Sequence, residues 1–352
     1  MVAALADAGG WPAILGPLTS RRDLTADQAE AAMAVILAGQ ATSAQIAGFI
    51  VALRMKGETT DELRGLLAAM RAAGEGVPVA PAGLVDVVGT GGDRSHSINV
   101  STLSALVVAG AGGRVCKHGN RAASSACGSA DVLDALGVTI ELAPEGVARC
   151  IAEAGIGFCF APRFHPAMRH AAPTRRELGV PTVFNSLGPM ANPAGVRRQV
   201  LGVADWSLAD RMIKVLAALG SERVLIVHGH DGLDELTTTT SSSVLELRDG
   251  EIRGYEVDPA ALGLKPSSSA DLRGSDAATN ADHARRVLGG ERGAHRDIVV
   301  LNAGAGMVAA GLADDIAGGM ELAVTAIDDG RAADALERLV ASSRAAHALS
   351  AR

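Results

Sequence analysis

The stretch VVGTGGDRSHSINVST, residues 87–102, concentrates small residues at a point where a strand is expected to lead into a helix. We expect the strand to end at Val88 and the helix to begin near Asn99 to Ser101. The dinucleotide-binding pattern G-x-G-x-x-G fails here, since Arg94 occupies its last glycine position. A Walker loop fails as well, because no Gly-Lys-Ser/Thr follows. The stretch predicts an anion site formed by backbone amides at the helix start, with a structural turn as the alternative.

Outward from this stretch, short apolar runs alternate with helical stretches, which is typical of βαβ units. The runs are residues 84–88, 114–118, 138–142, 156–161, 200–204, 223–229 and 297–303. Residues 243–257, centred on Asp249-Gly250, predict an antiparallel hairpin within this plan. The fold class we expect is α/β, with a mostly parallel central sheet covered by helices on both faces.

The first eighty residues carry a different signal, three capping boxes that each open an apolar-periodic run. The boxes are Thr25 with Gln28, Thr42 with Gln45, and Thr59 with Glu62. They predict three short helices and a small amino-terminal helical domain, residues 1–80, bounded by the Pro/Gly-rich break 76–83. Residues from about 165 to 195 interrupt the strand alternation, and we expect them to rejoin these helices. The large α/β domain, which binds the phosphate ligand, then comprises residues 81–352.

The composition argues against several classes of protein. With 352 residues, 48% of them hydrophobic, the chain can form a substantial core. A formal net charge of −7 and only 2% aromatic residues argue against nucleic acid as a partner. The four cysteines form no C-x-x-C pair, which is typical of reduced thiols in the cytoplasm. The first residues lack a basic segment, and no apolar run approaches the roughly 18 residues of a membrane span, so we expect a cytoplasmic protein with no membrane partner.

A second polar stretch, KHGNRAASSACGSAD at residues 117–131, also follows a predicted strand and leads into a helix. Its cationic and polar side chains are Lys117, His118, Asn120, Arg121, Ser124 and Ser125. Together with the first loop, at a neighbouring strand end, they predict a site for more than one phosphate. We expect Ser129 to be the helix N-cap, with Asp131 in the first turn. The alternatives are turn or capping roles for the serines and a structural role for His118.

A third stretch, HGHDGLDELTT at residues 228–238, places Asp231, Asp234 and Glu235 directly after the apolar run VLIV. Carboxylates at the end of a buried strand, near phosphate-binding loops, indicate Mg²⁺ held partly by protein and partly by substrate phosphates. Neighbouring residues of a regular strand point to opposite faces, so a metal shared by Asp234 and Glu235 requires a loop or two metal positions. A solvated acidic turn is the alternative.

Six separated motifs carry a resemblance to a known family. GTGGD, NVST, KHGNRAASSACGSAD, RRELG, FNSLGPMANP and DGLDELT closely resemble the anthranilate phosphoribosyltransferases in order and spacing, from about residue 10 to 345. The resemblance implies an amino-terminal helical domain joined to a larger α/β domain, and a homodimer. It also implies transfer of the phosphoribosyl group of phosphoribosyl pyrophosphate (PRPP) to the amine of anthranilate, with Mg²⁺, in tryptophan biosynthesis.

The same resemblance implies roles for individual residues. Contacts with PRPP are implied for Gly89, Gly92, Asp93, Ser97, Asn99, Val100, Ser101, Thr102, Lys117, His118, Gly119, Asn120, Arg121, Ala122, Ala123, Ser124, Ser125 and Ser129. The metal positions are Ser101, Asp234 and Glu235, and the anthranilate contacts are Gly89, Asn120 and Arg175. Arg175 is preferred to Arg176 because the motif fixes the first arginine of RRELG. No general base is assigned, and His118 is the candidate that we weigh against a structural role.

Two alternative functions stay open at this point. A pyrimidine-nucleoside phosphorylase has a related fold with a similar glycine loop and uses phosphate in place of pyrophosphate. The acidic pair of DGLDELT and the region of Arg175 favour magnesium–pyrophosphate chemistry and an acidic acceptor instead. A non-catalytic nucleic-acid-binding relative should gain basic charge and lose the carboxylates, whereas this chain is acidic and retains them.

Overall fold

The computed structural model describes residues 5–6, 9–122 and 126–350 of the chain. Seven strands form one central sheet. They are β1 Leu84–Gly89, β2 Arg114–Gly119, β3 Ile156–Phe160, β4 Arg198–Gly202, β5 Arg223–Gly229, β6 Ser242–Arg248 and β7 Glu251–Val257. The spatial order is β3-β2-β1-β4-β5-β6-β7. The prediction of an α/β fold with a mostly parallel sheet is therefore confirmed.

The pairing within the sheet explains where a ligand crevice opens. Strands β1 to β5 pair in parallel, with β1 between β2 and β4. The chain builds outward from β1 to β3 on one side and from β4 onward on the other, so the strand order reverses beside β1. Such a reversal opens a crevice at the carboxyl ends of the strands. The last two strands form the predicted antiparallel hairpin, and its turn residues Asp249 and Gly250 both have positive φ.

Four helices precede the sheet within the described residues. They are α1 Gly10–Thr19, α2 Ala26–Leu37, α3 Ser43–Lys56 and α4 Thr60–Ala72. All three predicted capping boxes are present, since Thr25, Thr42 and Thr59 each accept a hydrogen bond from the amide three residues on. Helix α1 was not predicted, because its N-cap is a glycine that offers no side-chain cap.

The other described α-helices cover the sheet or line its carboxyl edge. They are α5 Val100–Gly110, α6 Ser129–Ala135, α7 Pro144–Ala154, α8 Ala161–Phe164, α9 Ala172–Leu178, α10 Val183–Met190, α11 Ala209–Ala218, α12 Ala277–Leu288, α13 Ala294–Ala310, α14 Ile316–Asp328 and α15 Arg331–Ser350. Short 3₁₀ helices span Pro166–His170 and Trp206–Leu208. Across the described ranges, none of the helices combines the length and apolarity that crossing a membrane requires.

Alternation of apolar side chains along the strands produces two cores, one on each face of the sheet. One core joins Val87 and Val200 to α5, α7, α13, α14 and α15. The other joins Val88 and Leu201 to α11 and to the four amino-terminal helices. Side chains of residues 171–191 belong to this second core, with α9 packed on α3 and α10 on α4. The helical layer and residues 171–191 therefore lie together on one face of the sheet.

Two of the predicted strands are wrong. Residues 138–142 form no strand and pair with no strand among the described residues. Their alternation is real, since Val138, Ile140 and Leu142 are buried. However, the amide of Thr139 donates to Oγ of Ser343 on α15, at 3.1 Å, rather than to a neighbouring strand.

Residues 297–303, the other predicted strand, lie inside helix α13. This helix is continuously buried from Ile298 to Ala309, so its apolar run shows neither the two-residue period of a strand nor the 3.6-residue period of a surface helix. Two smaller corrections concern element ends. Strand β4 is Arg198–Gly202 instead of 200–204, and the N-cap of α6 is Gly128, with Ser129 as the first helical residue.

Candidate active site

A cavity of about 630 Å³ opens at the carboxyl ends of β1 and β2, beside the point where the strand order reverses. It is lined by every described residue that the sequence assigned to substrate or metal. These are Gly89, Gly92, Asp93, Ser97, Asn99, Val100, Ser101, Thr102, Lys117, His118, Gly119, Asn120, Arg121, Ala122, Ser129, Arg175, Asp234 and Glu235. The other three assigned residues, Ala123, Ser124 and Ser125, lie outside the described residues. The fold thus brings four distant stretches of sequence to one cavity, around residues 89–102, 117–129, 175 and 234–235.

The glycine-rich loop between β1 and α5 has an unusual backbone. Gly91 and Gly92 have φ of 67° and 85°, and the non-glycine residues Arg94 and His96 have φ of 58° and 53°. Left-handed conformations at such residues cost about 1–3 kcal/mol each and persist only where neighbouring structure holds them. Here the amide of Gly274 donates to the carbonyl of His96 at 2.8 Å. The loop is therefore held in a strained form at the mouth of the cavity.

Helix α5 begins directly after this loop, and its amino end lines the cavity. The side chain of Asn99, its N-cap, makes no cap hydrogen bond. Instead, Asn99 Nδ2 donates to the carbonyl of Cys127 at 3.1 Å, and Asn99 Oδ1 accepts from Asn280 at 2.9 Å. Thr102 is buried, and its hydroxyl has no hydrogen-bond partner among the described residues. A helix amino end with such a hydroxyl beside it forms an anion-binding arrangement.

The acidic pair Asp234 and Glu235 lies in the loop after β5 and contacts both the glycine-rich loop and the start of α5. Asp234 Oδ2 accepts from the amide of Gly91 at 2.7 Å, and Glu235 Oε1 accepts from the amide of Ser101 at 3.2 Å. Residues 230–241 form no regular strand, and both side chains line the same cavity, as a shared metal requires. Both side chains are only 8% exposed, so a solvated acidic turn is excluded.

Burial makes this pair electrostatically costly. It raises the pKa of Asp234 to about 7, with repulsion from Asp93 as the next cause. Burial and the charge of Asp234 likewise raise the pKa of Glu235 well above its ordinary value, although Lys117 opposes this. A cation that entered between the carboxylates would relieve the repulsion.

Two glycines allow the acidic loop to approach the sheet so closely. Gly89 and Gly202 are register partners at the ends of β1 and β4. A Cβ on Gly89 would collide with the carboxylate of Asp234, and a Cβ on Gly202 would collide with its backbone carbonyl. The residues that end these strands therefore have to lack a side chain.

Lys117 is the buried cation of the cavity, with 2% of its side chain exposed. Its Nζ donates to the carbonyl of Val87 at 2.6 Å and to Oγ of Ser101 at 3.2 Å. Burial lowers its pKa, and attraction by Asp86, Glu235 and Asp234 opposes this. The ammonium is thus placed between β1 and the start of α5.

Asp86, in the middle of β1, is a residue that the sequence reasoning missed. It is fully buried; its Oδ1 accepts from the amide of His118 at 3.1 Å and its Oδ2 from Asn192 at 2.8 Å. Burial raises its pKa to about 6, with Lys117 as the main opposing cause. The available signal was a carboxylate at the centre of the apolar run LVDVV, which a buried strand carries only beside a partner.

A pair of buried histidines lies beside Lys117. The rings of His118 and His165 are 5.3 Å apart, and His165 Nε2 lies 2.9 Å from the carbonyl of Ala191. Burial, followed by repulsion from His165, lowers the pKa of His118 to about 3. His118 Nε2 and His165 Nδ1 are buried with no hydrogen-bond partner among the described residues. His165 was missed, because HPAMRH gave only a helical signal.

The loop after β2 is held by its own side chains. Ser129 Oγ donates to the carbonyl of Asn120 at 3.2 Å, the local loop chemistry that the sequence left open for the serines. Arg121 lines the cavity while paired with Asp131 at 2.8 Å and with Asp134 at 3.3 Å. Its guanidinium is therefore shared between the cavity and helix α6.

Arg175 and Arg176 are clearly distinguished by their surroundings. Arg175 lines the cavity, and its guanidinium lies 4.9 Å from the ring centroid of Phe184. Burial lowers its pKa, and no carboxylate among the described residues offsets this. Arg176, by contrast, is exposed. Of these two neighbours, Arg175 is the one that can present its guanidinium to a ligand in the cavity.

The donor set also decides which metal would fit. Within the described residues, no group of three or more His, Cys, Asp or Glu side chains is arranged to hold an ion. What the cavity offers is two buried carboxylates and the hydroxyl of Ser101. Mg²⁺ usually takes one or two carboxylates and completes its shell with water and substrate phosphates. The residues present therefore fit a Mg²⁺ ion that binds together with a phosphate ligand.

Known proteins resemble the chain along most of its length. Two family models match it, "Glycosyl transferase family, helical bundle domain" at residues 12–74 and "Glycosyl transferase family, a/b domain" at residues 81–333. The anthranilate phosphoribosyltransferase of Mesorhizobium japonicum is 53% identical over 319 residues, which are 90% of this chain and 94% of that relative.

Two solved structures agree with this. Anthranilate phosphoribosyltransferase from Thermus thermophilus is 44% identical, with a TM-score of 0.88 and coverage of 94% of this chain and 99% of that chain. The Saccharomyces cerevisiae enzyme in complex with PRPP and Mg is 27% identical, with a TM-score of 0.87 and coverage of 95% and 98%. With both family models in order and 53% identity over nine-tenths of its length, the chain belongs to the anthranilate phosphoribosyltransferase family.

Proposed function

We propose that the chain transfers the phosphoribosyl group of PRPP to the amine of anthranilate, giving phosphoribosyl-anthranilate and pyrophosphate in tryptophan biosynthesis. One observation carries the proposal, namely that two different kinds of charged group line a single cavity. The first is the acidic pair Asp234 and Glu235 beside the start of α5, and the second is Arg175, whose charge is not balanced by any carboxylate of the described residues. The first group suits a metal-bound polyphosphate, and the second suits the carboxylate of an aromatic acid.

The donor would bind across the strand ends. Amides of the glycine loop and of the start of α5 would hold the pyrophosphate, and Lys117 would contribute its charge. We propose Ser101, Asp234 and Glu235 as the metal positions. When bound there, Mg²⁺ supplies positive charge to the departing pyrophosphate. The Saccharomyces cerevisiae relative was solved with PRPP and Mg, which supports the use of Mg²⁺ together with PRPP.

The acceptor would bind near Arg175, Asn120 and Gly89. The planar guanidinium of Arg175 would hold the carboxylate of anthranilate through two parallel hydrogen bonds. Phe184 lies against the same guanidinium and offers an apolar surface to the aromatic ring. The amine would then face C1 of the ribosyl group from the side opposite the pyrophosphate.

The reaction breaks the bond from C1 to the pyrophosphate oxygen and forms a bond from C1 to the amine nitrogen, which then loses a proton. Pyrophosphate is already a good leaving group, so the barrier lies in the charges that separate as its bond breaks. An aromatic amine is neutral near neutral pH and attacks without prior loss of a proton. With its pKa lowered to about 3, His118 is a poor general base, which favours an orienting role. Positioning and electrostatics supply most of the catalysis in this account.

We further propose that residues 1–80 form a helical domain completed by residues of about 165–195, that the rest of residues 81–352 forms the α/β domain, and that the two domains close over the substrates. Backbone bonds from Glu75 to Phe164, at 2.8 Å, and from Val77 to Pro193, at 3.2 Å, support the grouping of the first two segments. Closure about residues 76–83 would exclude water, whose attack would hydrolyse PRPP. Pro81→Gly, which loosens this connection, should raise PRPP hydrolysis relative to transfer; an unchanged ratio would refute the closure.

We also propose a homodimer in the cytoplasm. Val51 and Met55 are exposed one turn apart on α3, which packs against α9, and exposed Val180 follows α9 directly. Such apolar side chains on adjoining elements are typical of an interface. No disulfide joins any of the four cysteines, all of which lie in the described part of the chain, and this supports a reducing compartment. Met55→Glu should halve the mass measured by light scattering; a wild-type monomer would contradict the dimer.

The main experiment follows the fluorescence of anthranilate after PRPP is added, with and without Mg²⁺. We expect fluorescence to fall only when both PRPP and Mg²⁺ are present. The double variant Asp234→Asn with Glu235→Gln should abolish the metal-dependent rate. It should melt no lower than the wild type, because it removes buried charges that repel each other. If thymidine and phosphate were turned over and anthranilate were not, the proposed function would be wrong.

A further inference from the structure

Asn302, on helix α13, makes an unusual set of contacts outside the cavity. Its side chain is fully buried. Its Oδ1 accepts from the amide of Leu236 at 2.9 Å, and its Nδ2 donates to the carbonyl of Leu236 at 2.8 Å. The same Nδ2 donates to the carbonyl of Ile298 at 2.9 Å, one turn earlier on α13. One side-chain amide therefore satisfies both backbone polar groups of Leu236 and is itself anchored to its own helix.

These contacts matter because of where Leu236 lies. It directly follows Glu235, in the irregular segment 230–241 between β5 and β6. Buried backbone groups in such a segment have no strand partner and must be satisfied in another way. The amide of Asn302 has the donor and acceptor of a peptide group and takes the place of a neighbouring strand.

The contacts of the acidic pair show why this segment has to be fixed. Asp234 and Glu235 are buried, and their carboxylates accept hydrogen bonds from the amides of Gly91 and Ser101 on two different elements. Both contacts are kept only while the segment stays in its place beside the sheet. Contacts within the loop, such as the hydrogen bond from Thr237 Oγ1 to Asp231 at 2.8 Å, maintain the conformation of the loop. They do not fix the position of the loop relative to the sheet.

Helix α13 can fix that place because it also contacts the helix that carries Ser101. It packs along α5, where Ser104 Oγ donates to the carbonyl of Val299 at 3.3 Å. Through Asn302, the loop is therefore tied to the same pair of helices that presents Ser101 to Glu235. The three proposed metal positions share one rigid support.

We propose that Asn302 is a positioning residue that holds Asp234 and Glu235 in the arrangement that binds Mg²⁺ with PRPP. This proposal rests on the proposed function. Residues that orient metal-binding side chains without touching the metal commonly contribute about 10- to 100-fold to metal affinity. We expect an effect of that size on the Mg²⁺-dependent binding of PRPP, and no comparable effect on the acceptor side.

The test compares Asn302→Ala with the wild type and with Ser343→Ala. The control removes a buried side-chain acceptor of the same kind, since Ser343 Oγ accepts from the amide of Thr139 far from the cavity. Calorimetry measures PRPP binding across a Mg²⁺ titration. Asn302→Ala should need about 10- to 100-fold more Mg²⁺ for half-maximal PRPP binding, while Ser343→Ala should match the wild type. The KM for anthranilate should change less than about twofold in both variants.

Amide hydrogen exchange gives a readout that does not depend on activity. In the wild type, the amide of Leu236 should exchange slowly although it lies in an irregular loop; in Asn302→Ala, exchange should accelerate at least about tenfold in residues 231–241 and little elsewhere. Rapid exchange of Leu236 in the wild type would overturn the proposal even if Asn302→Ala failed to fold. So would an unchanged Mg²⁺ requirement in a folded Asn302→Ala variant. Wild-type protein that binds no PRPP at any Mg²⁺ concentration would instead refute the proposed function.

Discussion

Replacement of Arg175 by glutamine tests the acceptor half of the cavity independently of the donor half. Arg175 has no carboxylate partner among the described residues, and its guanidinium lies on the ring of Phe184. The charge is thus available to a ligand, and its removal breaks no ion pair within the described part of the chain. The shorter glutamine side chain would keep part of the packing and lose the charged fork, so the melting temperature should stay within a few degrees of the wild type.

The size of the effect follows from the bonds that are lost. A hydrogen bond to a charged group contributes about 1.5–3 kcal/mol, which corresponds to roughly 10- to 150-fold in kcat/KM. The assay is the fluorescence loss of anthranilate at saturating PRPP and Mg²⁺. The loss should appear in kcat/KM for anthranilate, while the KM for PRPP should change less than about threefold. The matched control is Arg176→Gln, which alters an exposed neighbour and should be neutral.

Aniline, which lacks the carboxylate, completes the comparison. If Arg175 binds that carboxylate, the wild type should lose about the same factor with aniline as the variant loses with anthranilate. The variant should then lose little more with aniline, so the two changes are not additive. Equal further losses in wild type and variant would refute the assignment of Arg175.

Three further predictions concern other parts of the site. Lys117→Met leaves Asp86 buried without its cation and should lower the free energy of unfolding by about 3–5 kcal/mol in a denaturant titration, and adding Asp86→Asn should recover part of this loss. Folding lowers the pKa of His118 from 6.5 to about 3, so the unfolded chain binds the proton first, and the free energy of unfolding decreases as the pH falls from 6.5 towards 3. His118→Gln should remove about 1.4 kcal/mol per pH unit from that decrease. An unchanged dependence on pH would contradict a neutral buried imidazole. Gly202→Ala places a Cβ on the carbonyl of Asp234 and should lower kcat/KM at least about tenfold, whereas Gly16→Ala, whose Cβ meets nothing within 4 Å, should retain activity and raise stability by about 0.5–1 kcal/mol.

Signals carried by a few neighbouring residues were sufficient for much of the fold. The capping boxes at Thr25, Thr42 and Thr59 and the turn at Asp249-Gly250 are local chemistry, so their elements could be predicted closely. Residues 138–142 and 297–303 could not, because the partner of their backbone was not visible in the sequence. In one case it is a serine side chain on α15, and in the other it is the helix itself.

The candidate site shows the same difference between features with a local sequence signal and features that depend on the fold. The glycine loop, the lysine loop and the acidic loop each carry a chemical signature, and each could be found in the sequence. Asp86 was missed although its carboxylate at the centre of an apolar run was a signal, whereas His165 could not be found, because its role depends on burial and on a neighbour brought by the fold. Arg94 illustrates a third case. It breaks the dinucleotide pattern where that pattern requires glycine, yet its φ of 58° is the left-handed conformation that glycine favours.

The charges around the cavity give the two halves opposite preferences. On the donor side, the buried acids Asp234 and Glu235 lie beside the amino end of α5 and near Lys117, whose charge is also shared with Asp86. Mg²⁺ bound at the two acids would complete a site for a phosphate that arrives with the metal. On the acceptor side, Arg175 attracts a carboxylate that carries no metal. Both substrates of the proposed reaction are anions, so shape alone would separate them poorly. We therefore expect the need for Mg²⁺ on the donor side and the guanidinium of Arg175 on the acceptor side to direct PRPP and anthranilate to separate parts of the cavity.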